Sequence, residues 1–262
     1  MTLIVFTDLD GSLLDHESYS TAPAKAALGE LAARKIPLIL NSSKTADEII
    51  AIKRTHGIEA PFVCENGAAL HLSPESVIPF GPLREQWLHR VHELRDQRGF
   101  VFEGFDDWSS TSISKRTGLT EQEALLAKRR VYSEPILWRD SQEALRRFQD
   151  DLSNMGLRLL QGGRFQSIQG HFDKRNAMDW LAARAEKQEV APVVVALGDS
   201  PNDAAMLNAA DVAVIIKSAN SSLIHCPDAK LLIHTTLKGP AGWSEAILQI
   251  LALHDSKQLQ FE

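Results

Sequence analysis

The stretch Leu3-Ile4-Val5-Phe6-Thr7-Asp8-Leu9-Asp10-Gly11-Ser12 restricts the fold more than any other part of the chain. A mostly apolar, β-favouring run without polar alternation describes a strand buried on both faces, as in a parallel sheet. Two aspartates and a glycine follow where such a strand leaves the sheet, and open parallel sheets bind ligands beyond those carboxyl ends. Alternation along an extended chain predicts that Asp8 and Asp10 face one side and Leu9 the other. Two carboxylates ~4 Å apart repel by roughly 4 kcal/mol at an effective dielectric of about 20, so a divalent cation is expected between them. An acidic turn after a strand is the plain alternative.

The same rhythm repeats. A helix is predicted from about Pro23 to Lys35, then a short buried strand, Pro37 to Leu40, ending in Asn41-Ser42-Ser43-Lys44. Thr45 and Glu48 have capping-box spacing and open a helix to about His56, closed by Gly57. Phe62-Val63-Cys64 is a third strand, followed by Glu65-Asn66-Gly67. From Asp173 the pattern resumes with a helix over about Lys174 to Lys187, then Val193 to Leu197, the most β-like run in the chain. That run ends in Gly198-Asp199-Ser200-Pro201-Asn202-Asp203 and a short helix to Asn208. Strands at Val212 to Ile216 and Leu231 to Ile233 precede a closing helix, entered through Gly239 to Trp243 and ending near Leu253, with a frayed tail from His254.

Between these halves the rhythm changes. A helix is predicted from about Leu83 to Arg98, with His89 and His92 on a solvated face, then a polar stretch from Glu103 to Ser114. A capped helix near Glu121 to Arg129, a strand at Pro135 to Trp138 and a helix over Ser141 to Met155 follow. A strand at Leu157 to Gln161 turns through Gly162-Gly163-Arg164-Phe165 into another strand. The fold class expected is therefore α/β: a Rossmann-like, doubly wound parallel sheet with an inserted α+β cap. Residues 1–80 and 171–262 would form the core and 81–170 the cap.

A net charge of −6 argues against nucleic acid as a partner, and no apolar run reaches membrane-spanning length. Two cysteines exclude a disulfide framework and a cysteine metal site. With no leader-like segment at Met1, the expectation is a cytoplasmic protein, a monomer or small homo-oligomer.

The strand ends carry the chemistry. Asp8, Asp10, Asp199 and Asp203 would place four carboxylates at one sheet edge, an oxygen-only donor set that suits Mg²⁺ rather than zinc or copper. Lys174, read in the first turn of a helix, opposes the helix dipole unless an anion lies beside it. Ser42 can donate to a phosphate oxygen. A carboxylate nucleophile, a second carboxylate, a hydroxyl, a lysine and a magnesium site make a phosphoryl-transfer centre, and no Walker-type loop offers a nucleotide a cradle.

These residues resemble the haloacid dehalogenase superfamily of phosphatases, whose four motifs match Asp8-Leu9-Asp10-Gly11-Ser12, Ser42, Lys174, and Gly198-Asp199 through Asn202-Asp203 in order. The resemblance implies Asp8 as nucleophile and Asp10 as general acid/base. Mg²⁺ would be held by Asp8, the Asp10 carbonyl and Asp199, with Asp203 behind it, and phosphate by Ser42 and Lys174. Further segments are similar to the mannosyl-3-phosphoglycerate phosphatase family: Asn41 to Thr45, Glu65 to Ala68, Arg130 with Ser133-Glu134-Pro135, Gly163-Arg164-Phe165, and Gly239-Pro240-Ala241-Gly242-Trp243. That family removes phosphate from a glycosyl-3-phosphoglycerate, which gives a small phosphorylated sugar–glycerate as the expected partner. By this resemblance Arg130 and Arg164 are candidate ligands for the glycerate carboxylate. Ser43, Lys44, Glu65, Asn66, Gly67 and Asn202 would line the substrate side. The chain departs from the family at Ser167 and Arg175. A broader sugar-phosphate phosphatase, a phosphomutase and a silent binding protein on the same fold are the alternatives. Connections near Pro79–Pro82 and Gly170–Asp173 are expected to hinge the cap over the core.

Overall fold

The computed structural model describes residues 2–162, 164–185, 192–259 and 261. The chain opens with β1 (Leu3–Thr7), α1 (Lys25–Ala33), β2 (Leu38–Asn41), α2 (Ala46–His56) and β3 (Phe62–Cys64), the expected β-α-β-α-β order. Thr45 and Glu48 close a reciprocal capping box on α2, and Gly57 ends it with φ +65°. A hairpin absent from the sequence reading follows, β4 (Ala69–Ser73) and β5 (Ser76–Pro79). It adds two antiparallel strands to the sheet edge.

The next stretch holds α3 (Leu88–Arg98), β6 (Phe102–Gly104), α4 (Ser110–Thr117), α5 (Glu121–Lys128), β7 (Ser133–Trp138), α6 (Gln142–Asn154), β8 (Leu157–Gln161) and β9 (Gln166–Gly170). The expected polar stretch from Glu103 to Ser114 is thus corrected: it contains most of β6 and the start of α4. Ser109 caps α4 by accepting from the Ser112 amide, and Ile113 anchors it in the interior. The strands pair antiparallel in the order β6-β7-β9-β8 as a separate sheet. Phe148 and Leu152 of α6 and Val91 of α3 pack on it against Phe102, Ile136 and Ile168.

The chain then returns through α7 (Asn176–Ala185), β10 (Val193–Gly198), α8 (Ala204–Asn208), β11 (Val212–Lys217), β12 (Leu231–Lys238) and α9 (Gly239–Asp255). Gly163 of the expected turn and residues 186–187 of the expected helix lie outside the described residues. The large sheet runs β12-β11-β10-β1-β2-β3-β4-β5, parallel from β12 to β3. Its pleat divides the core: Val5, Leu197 and Val214 pack with Leu31 of α1 and Trp243 and Ile250 of α9. Phe6, Ala196 and Ile215 pack on the other face with Met178 of α7 and Met206 of α8. This is the doubly wound α/β class.

Two chain crossings join the sheets, and glycine lets them touch. A Cβ on Gly81 would stand 2.4 Å from the Phe172 ring, and one on Gly170 2.7 Å from Pro82 Cδ. The tail is corrected too, since Leu259 is buried in the main core. No helix among the described residues is long and apolar enough to cross a membrane.

Candidate active site

Register brings the site together. Thr7 of β1 pairs with Leu197 of β10 on one side and Leu40 of β2 on the other, so these three strands end within one residue of one another. Asp8, Asp199 and Ser42 leave the sheet side by side as a result. Buried Trp243 Nε1 donates to Thr7 Oγ1 at 2.9 Å, and Thr7 Oγ1 donates to the Asp8 carbonyl at 2.8 Å, fixing the end of β1.

Past Thr7 the chain does not stay extended. It curls, with Leu14 N–H donating to Leu9 O and Gly11 N–H to Leu14 O. Gly11 sits at φ +79°, and a Cβ there would be 2.6 Å from Asp199 Oδ2. The alternation argument for Asp8 and Asp10 is therefore corrected, because Asp10 lies in a turn. Acceptor oxygens of Asp8, Asp199 and Asp203 gather within 4.8 Å of one another. The Asp10 carboxylate stands apart from that trio: Oδ2 pairs with Lys44 Nζ at 3.1 Å, while Oδ1 is buried without a hydrogen-bond partner.

Lys174 is wholly buried between two of the carboxylates, 2.5 Å from Asp8 Oδ1 and 2.6 Å from Asp203 Oδ1. It precedes α7 rather than occupying its first turn, which replaces the dipole argument with direct pairing. Burial opposes its charge, but Asp203 and Asp8 outweigh burial and raise its pKa, keeping it an ammonium. Burial pushes the Asp8 carboxyl well above the usual range; Lys174 pulls it down, and Asp203, Asp199 and Asp10 push it further up. Asp199 is raised to about 7, chiefly by burial and then by Asp203. Asp203 Oδ2 accepts from the amides of Asp199 and Ser200, so the loop after β10 is wound around it.

Ser42 is buried, its amide donating to Val63 O and its Oγ accepting from the Lys44 amide at 3.3 Å. The neighbouring Asn41 went unassigned in the sequence reading. Its Nδ2 donates to the Lys174 carbonyl at 2.7 Å, which holds that lysine's backbone against β2. Glu65, Asn66 and Gly67 all have positive φ, of 50°, 62° and 100°. A Cβ on Gly67 would fall 1.9 Å from the Asp173 carbonyl, so this tight loop is packed directly on the Lys174 segment. Asn202 Nδ2 reaches Asn66 Oδ1 at 3.4 Å.

Glu65 is placed differently from a substrate-lining residue. Fully buried, it accepts from the amides of Val131, Tyr132 and Ser133 and from Ser133 Oγ, at 2.7–3.0 Å. It is a strut from the core to the inserted unit. Arg130 continues this seam, Nη1 donating to the Ser43 carbonyl at 3.2 Å and to Ser133 Oγ at 2.9 Å, while its buried Nε has no partner. Thr45 Oγ1 donates to Leu126 O, and Arg129 pairs with Asp47 at 3.1 Å. Exposed Arg164 instead donates to the carbonyls of Arg116 and Thr117 at the end of α4, within the inserted unit. His89 is exposed and pairs with Glu93 at 3.1 Å.

The donor set suits a hard divalent cation: three oxygen ligands, no sulfur or imidazole, and carboxylates whose charge is disfavoured without further positive charge. Asp8, Asp199 and Asp203 are the residues placed to share it.

A family model described as haloacid dehalogenase-like hydrolase matches residues 5–145 and 139–234. A solved haloacid dehalogenase-like hydrolase from Bacteroides thetaiotaomicron is 17% identical, with TM-score 0.69, over 95% of this chain and 100% of that one. A phosphatase of the same superfamily from Bacteroides thetaiotaomicron is 18% identical, with TM-score 0.69, over 97% and 95%. A subclass IIB sugar phosphatase of this superfamily is 15% identical, with TM-score 0.68, over 95% and 99%. At these identities the likeness to solved structures is one of fold.

Proposed function

Starting from a chain that belongs to the haloacid dehalogenase-like hydrolases, we propose that it is a Mg²⁺-dependent phosphatase acting on mannosyl-3-phosphoglycerate or a close glycosyl-3-phosphoglycerate. The observation that carries the reaction class is the buried cluster of Lys174, Asp8, Asp199 and Asp203 at the carboxyl edge of the sheet. The substrate rests on the family resemblance of the segments around Ser42, Glu65, Arg130 and Trp243. A sugar phosphatase among the structural neighbours agrees with that class of substrate.

In this reading Asp8 attacks phosphorus and the ester P–O bond breaks, leaving an aspartyl phosphate and the substrate alkoxide. Asp10, whose Oδ1 has no partner, gives its proton to that oxygen. The resulting Asp10 carboxylate then takes a proton from water as the water oxygen attacks phosphorus, which frees phosphate and restores both aspartates. Lys174 stays positively charged beside Asp8 and holds a phosphoryl oxygen, helped by the Ser42 hydroxyl. Bound by Asp8 and Asp199 with Asp203 behind, Mg²⁺ would supply the remaining charge neutralisation for the phosphoryl oxygens. By the family resemblance, Arg130, beside Ser43, would meet a glycerate carboxylate.

The test is phosphate release, with Mg²⁺ and with EDTA, from mannosyl- and glucosyl-3-phosphoglycerate and from simple sugar phosphates, with Asp8→Asn as control. Fast metal-dependent release confined to the glycosyl-phosphoglycerates is expected. Equal release across the panel would leave a phosphatase and remove the named substrate.

A further inference from the structure

A groove with a volume of about 420 Å³ lies between the core and the inserted unit and begins at Lys44. One wall is a single face of α2, where Glu48, Ala51, Ile52 and Thr55 recur at helical spacing. The opposite wall is Leu119, Glu123 and Leu126, on and beside α5. Glu48 to Thr55 spans ~10 Å at about 1.5 Å per residue, so the space is elongated. Its inner end is fixed by chemistry, because Lys44 Nζ is 3.1 Å from the Asp10 carboxylate.

Tyr19 covers that inner end. Its ring centroid is 5.0 Å from Lys44 Nζ, yet the residue is 41% exposed and holds φ +54°. A bulky side chain in the left-handed region stores strain, which persists only where the surroundings enforce it. Here Asp15 enforces it: its Oδ1 accepts from Ser18 N and Oγ, and its carbonyl from Tyr19 N. Past the lysine the charge reverses. Glu48 and Glu123 line the groove, each spending one carboxylate oxygen on a capping amide, of Thr45 and Thr120. A second anion is repelled there, while carboxylate lone pairs, apolar Ile52 and Leu126 and an aromatic face suit a neutral, hydroxyl-rich ring.

Resting on the phosphatase reading, we infer that this groove is the leaving-group subsite and that it orders the substrate. The acidic part bonded to phosphate stays at Lys44, and the uncharged sugar extends along α2 under Tyr19. Selectivity then comes from length: an ester that stops at the acid leaves the groove empty and forfeits binding energy that would otherwise support the reaction.

The experiment compares kcat/KM for glucosyl- or mannosyl-3-phosphoglycerate with kcat/KM for 3-phosphoglycerate, which lacks the sugar. It uses wild type, Tyr19→Ala and the groove-filling Ala51→Trp, with thermal melts to establish folding. The ratio of long to short substrate is expected to fall at least tenfold in each folded variant. A ratio within twofold of wild type in either folded variant overturns the assignment, as does a wild type that prefers 3-phosphoglycerate. Should Ala51→Trp not fold, Tyr19→Ala on its surface loop decides. A wild type that releases phosphate from no ester, simple sugar phosphates included, refutes the phosphatase reading and the subsite with it.

Discussion

Replacing Asp199 by asparagine should stabilise the metal-free protein at alkaline pH while abolishing its proposed activity. Burial and the nearby Asp203 carboxylate raise the Asp199 pKa from 3.8 to about 7. An acid raised in this way keeps its proton in the native state at pH values where the unfolded chain has already lost it. Stability therefore falls as pH rises from about 4 to about 7 and stays low above that. A displacement from 3.8 to about 7 corresponds to ~4 kcal/mol, at roughly 1.36 kcal/mol per pH unit. Asparagine keeps the shape and removes the charge. In EDTA at pH 8, Asp199→Asn should gain ~2–4 kcal/mol, a rise in melting temperature on the order of 5–10 °C for a chain of this size. At pH 5 most of the gain should vanish, since wild-type Asp199 then carries its proton. Mg²⁺ should close most of this gap, because ligand at about 100 times its Kd stabilises the binding-competent wild type by ~2.7 kcal/mol. Melts of both proteins at the two pH values, with EDTA and with Mg²⁺, check this. A variant no more stable than wild type at pH 8 in EDTA, or a gain of equal size at pH 5, would refute the electrostatic reasoning.

Two further changes probe the scaffold. Glu65→Ala strips the acceptor from three amides and a hydroxyl at the seam; it should cost ~3 kcal/mol or more and speed hydrogen exchange at residues 131–133, and unchanged protection there would contradict the strut. Gly67→Ala forces a Cβ to within 1.9 Å of the Asp173 carbonyl at φ +100°; it should cost ~2–4 kcal/mol in denaturant melts and lower kcat by displacing Lys174, whereas wild-type turnover would show the loop and lysine to be uncoupled.

Local signals were readable where one segment decides its own structure. The capping boxes at Thr45 and Thr120, the glycine stop at Gly57 and the apolar runs of β1, β10 and β11 need no partner to be recognised. The hairpin of β4 and β5 escaped because its outer strand alternates between partly and fully exposed residues at a sheet edge. Helix α4 escaped because serine and threonine are weak helix formers, and only Ile113 is buried. In the site, the edge rule for parallel sheets gathers Asp8 and Asp199, and the structure adds Lys174 between Asp8 and Asp203. Asp10 was placed by an alternation that ends at Thr7. Glu65 and Arg130 depend on how residues 130–133 dock on the core, a long-range fact that no local pattern encodes.

The most direct measurement is whether Asp8 becomes phosphorylated during turnover. The enzyme would be mixed with Mg²⁺ and a glycosyl-3-phosphoglycerate, quenched in acid within milliseconds, and mapped by peptide mass spectrometry. The proposed chemistry predicts one acid-stable, hydroxylamine-labile phosphoryl group on the peptide carrying Asp8, and none in Asp8→Asn. Phosphate release at full rate with no such adduct, or undiminished turnover by Asp8→Asn, would contradict it.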